Sequence, residues 1–335
     1  MYSPVNILIV GPSWVGDMVM AQSLFITLKQ QYPACNIDVL APAWSLPLLE
    51  RMAEVRAGIA MPLGHGQFGL GERFRLGKRL RGQYQQAIVL PNSWKSALVP
   101  FFAGIPKRAG FFGEMRWGLL NDVRRLDKKL LTMTVQRFVA LGLPANAVQP
   151  PAYVFPRLSI TEAQQNNVCG KFGVLAQDKI LALCPGAEYG PAKQWPVEHF
   201  AAVARQKHEQ GWRVWVFGSD KDRPVAEHID RLSGNICRNF AGITSLDEAV
   251  DLLSLTDAAV SNDSGLMHVA AALGKKVVAL YGSSDPGFTP PLHVAAEIVT
   301  LQLDCSPCFK RECPFGHTRC LADISPARVL ALLGD

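Results

Sequence analysis

Val5-Asn-Ile-Leu-Ile-Val10-Gly11-Pro-Ser-Trp-Val-Gly16-Asp17 decides the fold of the front half of this chain. Val5–Val10 is a short, nearly unbroken apolar run ending in a Gly/Pro turn, the pattern of a buried strand. Beyond the turn, Met20, Leu24 and Leu28 recur at helical spacing to about Gln31, and apolar runs return at Asn36–Leu40 and Ala87–Leu90. Strand, turn, helix, strand is the rhythm of a parallel sheet whose crossover helices cover its faces.

Working outward, residues 144–160 hold Pro144, Pro150, Pro151 and Pro156, the composition of a linker. The rhythm then restarts. Strands are expected at Lys179–Cys184, Arg213–Phe217, Ala258–Val260 and Lys276–Leu280. Helices are expected after Trp195-Pro196, with the proline at the first helical position, after the capping box Ser245/Glu248, from about Ser264 to Leu273, and from Pro326 to Leu333. The expectation is an α/β chain of two Rossmann-like, doubly wound domains, 1–157 and 158–335, facing a central cleft.

The 335 residues suit two such domains, and 49% hydrophobic against 19% charged residues supports packed cores and argues against disorder. No run reaches the ~18 apolar residues of a membrane helix. The first residues carry no basic, cleavable leader, so the expected compartment is the cytoplasm. The net charge of +6 is uneven: residues 1–157 hold 18 Lys and Arg against 8 Asp and Glu, leaving the back half net acidic. A front half this basic implies an anionic partner, although charge also serves solubility. Its cations, among them Arg73, Arg108, Arg116 and Arg124, alternate with Phe74, Phe111, Phe112 and Trp117. No zinc-finger or RNP signature accompanies them, so a phosphorylated glycan fits better than nucleic acid.

Three loops follow strands, where open α/β sheets bind ligands. Gly11–Asp17 is neither a dinucleotide fingerprint nor a P-loop. Gly16 permits close approach, and Asp17 falls in the first helical turn, where it can act as a general base or merely favour the helix dipole. Gly186, Gly190 and Lys193 lie in a Pro/Gly-rich loop that sets an ammonium just before a helix, a natural diphosphate site. In Ser261-Asn-Asp263-Ser264-Gly265-Leu-Met-His268, Asp263 reads as N-cap, Ser264 and Gly265 offer first-turn amides, and His268 lies one turn on. The competing reading leaves His268 in the core and Asp263 as a cap only. Ser219, Asp220 and Asp222 follow another strand and suit ribose hydroxyls or plain solvent. Finally Cys305, Cys308, Cys313 and Cys320, with His317 nearby, suit either free thiols, a closed metal site or redox chemistry.

The segments Gly11–Met18, Leu90–Pro106, Gly113–Asp122, Pro185–Lys193 and Asn262–Ala272 closely resemble the ADP-heptose-dependent lipopolysaccharide heptosyltransferases, glycosyltransferase family 9, in their type II branch. The resemblance spans nearly the whole chain. It implies a GT-B fold with an acceptor domain in front and an ADP-heptose domain behind. It implies inverting addition of the second heptose to the first in the inner core, with no cofactor beyond the donor and no obligatory metal in the chemistry. Asp17 is then the base and Lys193 the group that neutralises the leaving diphosphate. Gly186, Ser219, Asp220 or Asp222, Asp263, Ser264, Gly265 and His268 hold the donor, and Gly16, Asn92, Ser93, Lys95 and Arg116 the acceptor, a heptosyl-Kdo2-lipid A. That acceptor implies peripheral contact with the inner membrane. A type I or III acceptor, or a non-catalytic nucleotide-binding protein of this fold, are the alternatives. The cysteine-rich segment inherits no role from the resemblance.

Overall fold

A computed structural model describes residues 5–64, 66–174 and 179–334. The chain divides into two compact units, Met1–Arg157 and Leu158–Asp335, a division that falls within the proline-rich stretch.

The first unit is built on six strands: β1 (Asn6–Val10), β2 (Asn36–Pro42), β3 (Val55–Met61), β4 (Gln86–Val89), β5 (Lys107–Phe111) and β6 (Asp122–Arg124). They pair in the order β3-β2-β1-β4-β5-β6, all in parallel. The second unit carries β7 (Ile180–Cys184), β8 (Arg213–Val216), β9 (Cys237–Asn239), β10 (Ala258–Asn262), β11 (Lys276–Tyr281) and β12 (Ala296–Thr300). Read from β9, its order is β9-β8-β7-β10-β11-β12. Both sheets therefore share the 3-2-1-4-5-6 order of the dinucleotide-binding fold, and each reverses its direction of winding once, at β1/β4 and at β7/β10. The central strands β7 and β10 are wholly buried, as strands covered on both faces must be.

Helix α1 (Val15–Gln31) departs from the amphipathic stripe that its sequence suggests. Besides Leu24 and Leu28, it buries Met18, Val19, Ala21, Gln22, Ser23, Phe25 and Thr27. Its outer side is covered by the helix Thr134–Gly142, where a Cβ on Gly142 would stand 2.4 Å from Leu24. The end of the unit covers it too. The Gln22 amide donates to the Arg157 carbonyl at 2.7 Å and accepts from the Arg157 N–H at 2.9 Å, and the Ser23 hydroxyl donates to the Val154 carbonyl. The two polar residues mid-helix are thus satisfied in the interior, as burial demands.

Candidate active site

In the second unit, the loops after β7 and β10 meet at the reversal of strand order. Asn262, the last residue of β10 and fully buried, ties them together. Its Nδ2 donates to the Pro185 carbonyl at 2.7 Å and its Oδ1 accepts from the Trp195 N–H at 3.1 Å, so one side chain fixes both ends of the Pro185–Trp195 loop. Trp195 is itself buried, its indole N–H bonded to the Ile324 carbonyl. Within the loop, the Lys193 ammonium lies 2.5 Å from Asp263 Oδ2 and 5.1 Å from the centre of the Tyr189 ring. A mostly buried cation is held between a carboxylate and a π-face, which fixes its position.

Helix α2 (Gly265–Ala272) starts beside this pair. Its N-cap is Ser264, not Asp263: the extended backbone of the cap falls one residue later, and the Asp263 carboxylate turns to Lys193 instead. The Ser264 hydroxyl makes no capping bond and lies 3.1 Å from Ser261 Oγ. His268 is 5% exposed. Burial pushes its pKa down to about 4; Asp263 opposes that shift and Lys193 adds to it. The imidazole is therefore neutral near pH 7, buried as the core reading has it and beside the ion pair as the ligand reading has it. The helix Val197–Glu209 likewise has Pro196 as N-cap, not as first helical residue.

The carboxylates after β8 part company. Asp222 folds back: its Oδ2 accepts from the Ser219 N–H at 2.8 Å and the Ser219 hydroxyl at 2.7 Å. It packs so closely on Gly186 that a Cβ there would stand 2.7 Å from Oδ2. Gly186 thus makes room for Asp222. Asp220 is 85% exposed and pairs with Arg223 at 3.2 Å. Two groups carried no sequence signal. The Ser283 and Ser284 hydroxyls, just past β11, are buried and find no hydrogen-bond partner among the described residues.

In the first unit, Asp17 sits in the first turn of α1, half-buried behind the buried Gly16. The loop after β4, at this unit's own reversal point, presents Asn92, Ser93 and Lys95. It is joined to the loop after β5 by the Trp94 N–H, which donates to Glu114 Oε2 at 2.7 Å, and by Arg116. Arg116 corrects the expectation that it faces a ligand. It is 2% exposed, and its guanidinium donates to the carbonyls of Pro91 and Phe111 and to Asn92 Oδ1. Other cations of the basic stretch are spent the same way. Arg73 bonds the carbonyls of Phe68 and Lys95, Arg108 those of Leu119 and Ile105, and Arg124 those of Ala140 and Leu143. A guanidinium has five donors and suits such carbonyl-lined corners. The exposed positive charge is correspondingly smaller than the composition suggests.

The sequence profile of glycosyltransferase family 9 (heptosyltransferase) matches residues 73–319. The chain belongs to that family. This family 9 enzyme is 48% identical to lipopolysaccharide heptosyltransferase 2 of Escherichia coli K12, over 97% of this chain and 96% of that one. It is 49% identical to lipooligosaccharide heptosyltransferase 2 of Haemophilus influenzae, over 98% and 99%. The solved structure of E. coli ADP-heptose LPS heptosyltransferase II superposes with a TM-score of 0.87 at 46% identity, covering 98% of this chain and 97% of that one. The enzyme is a glycosyltransferase with the paired doubly wound sheets expected of it. Among the described residues, no helix is long and apolar enough to cross a membrane. None of their His, Cys, Asp and Glu side chains form a group of three already arranged to hold a metal ion.

Proposed function

We propose that the enzyme moves heptose from ADP-heptose to the first heptose of a heptosyl-Kdo2-lipid A acceptor, with inversion at the anomeric carbon. The observation that carries this is the Lys193 ammonium, fixed by Asp263 beside the first-turn amides of α2, an arrangement that suits a departing diphosphate. Lys193 takes up the charge that grows on the departing ADP, while Ser264, Gly265 and the neutral His268 offer neutral donors beside it. Asp220, the accessible carboxylate, suits the ribose. The Ser283 and Ser284 hydroxyls suit the remaining polar groups of the donor. On the acceptor side Asp17 removes the hydroxyl proton as that oxygen attacks. Asn92, Ser93 and Lys95 bind the sugar and its anionic neighbours, and Arg116 acts indirectly by holding their loop in place. The acceptor's acyl chains lie in the cytoplasmic face of the inner membrane. The exposed Trp94, Phe112, Met115 and Trp117 around these loops suit a shallow contact with it.

The test is an assay of the purified chain with ADP-heptose and defined acceptors. Heptosyl-Kdo2-lipid A should yield ADP and a product heavier by one heptose. Turnover only with Kdo2-lipid A would make the enzyme a type I transferase, and ADP binding without turnover on any acceptor would make it non-catalytic.

A further inference from the structure

Cys305, Cys308, Cys313 and Cys320 all line one small cavity in the second unit, together with His317. None is in a disulfide. Two features set this apart from a chance gathering of thiols. First, His317 is otherwise engaged: its Nδ1 accepts from the Arg319 N–H at 3.1 Å and its ring stacks on Phe315, leaving sulfur as the common donor type. Second, the segment is a strap across the loop that holds Lys193. The Ala192 N–H donates to the Arg311 carbonyl at 3.0 Å, and the Tyr189 hydroxyl to the Phe309 carbonyl at 2.9 Å. The Arg311 guanidinium also lies over the Tyr189 ring. The Phe309 N–H in turn donates to the Ser283 carbonyl at 2.7 Å.

We propose that the four cysteines close on a thiophilic divalent ion of zinc's kind, and that this knot holds the 305–320 strap against the Lys193 loop. The thiols give up their protons to solvent, and four sulfur–metal bonds of ~2.3 Å form in a tetrahedral set with no change of oxidation state. The side chains turn inward from their present positions to reach that geometry. The ion takes no part in the chemistry. Its consequence for the donor rests on the function proposed above, but its presence does not.

The experiment uses the full-length protein purified without chelator. Elemental analysis should find one ion per chain, zinc or iron, and exchange for Co2+ should give the intense sulfur-to-metal charge-transfer absorption of a tetrahedral thiolate site. Cys308→Ser and Cys313→Ser should each lose the ion. Where they stay folded, they should show a KM for ADP-heptose raised about tenfold with a smaller fall in kcat, as for a positioning role. A native protein with no stoichiometric ion and no cobalt–thiolate band overturns the site, as does a Cys305–Cys308 disulfide found by mass spectrometry in freshly purified protein. Bound metal with KM unchanged in both variants would retain the site and overturn the strap. An active but metal-free enzyme would defeat this inference and leave the proposed transferase standing.

Discussion

Asp17 is half-buried in the first turn of α1, just past the loop that follows β1, where the helix dipole favours a carboxylate. An amide in its place keeps the shape and removes the basicity. Asp17→Asn should lower kcat by ~10²–10⁴-fold, the usual worth of a general base. The affinity for ADP, read by calorimetry, should not change; parallel loss of binding would recast Asp17 as structural. At this scale the sequence is a good guide to where Asp17 and Lys193 stand in the fold, because a strand end and a helix start lie within a few positions of each. It is a poor guide to Arg116, whose partners on residues 91, 92 and 111 are set by the packing of two loops. A cation among aromatic residues looks the same in a sequence whether it faces solvent or a cage of carbonyls.

The loop from Pro185 to Trp195 shows what elements add. Its anchor, Asn262, reaches partners 77 and 67 positions away, a link no local pattern reveals. Gly190 sits at φ 155°, in the region that favours glycine, and a Cβ there would stand 2.5 Å from the Arg311 carbonyl. Gly190→Ala should therefore push the loop off the strap. A rise in KM for ADP-heptose with stability lowered by about 1–3 kcal/mol is expected. Steady-state kinetics beside urea denaturation would check it, and unaltered kinetics would mean the loop tolerates the gap. The helix starts show the same limit in reverse. The motif around Asp263 places a helix correctly, yet the cap falls one residue later, because the carboxylate has a better partner across the fold in Lys193.

For the molecule as a whole, acid should act through His268. The fold holds this imidazole at about 4 against an ordinary 6.5, so the unfolded chain takes up the proton first. The stability that depends on the neutral ring is complete above about 6.5 and drains away as pH falls toward about 4. Unfolding free energies of wild type and His268→Gln should accordingly converge over that window, and a constant gap between them would refute the assignment. Fold class and the two-unit plan were legible throughout, since two runs of strand–helix alternation divided by prolines leave few other solutions. The repeat of one strand order in both units was not, because order is settled by which strands pair and not by their spacing along the chain.

That repeat has an evolutionary corollary. The loops of the first sheet and those of the second are encoded on opposite sides of one short stretch near Arg157, with no interleaving among the described residues. A single recombination event at that point would graft a new front half onto an unchanged back half. On the function proposed above, lineages built this way can diversify the glycan they extend while continuing to consume the same sugar nucleotide.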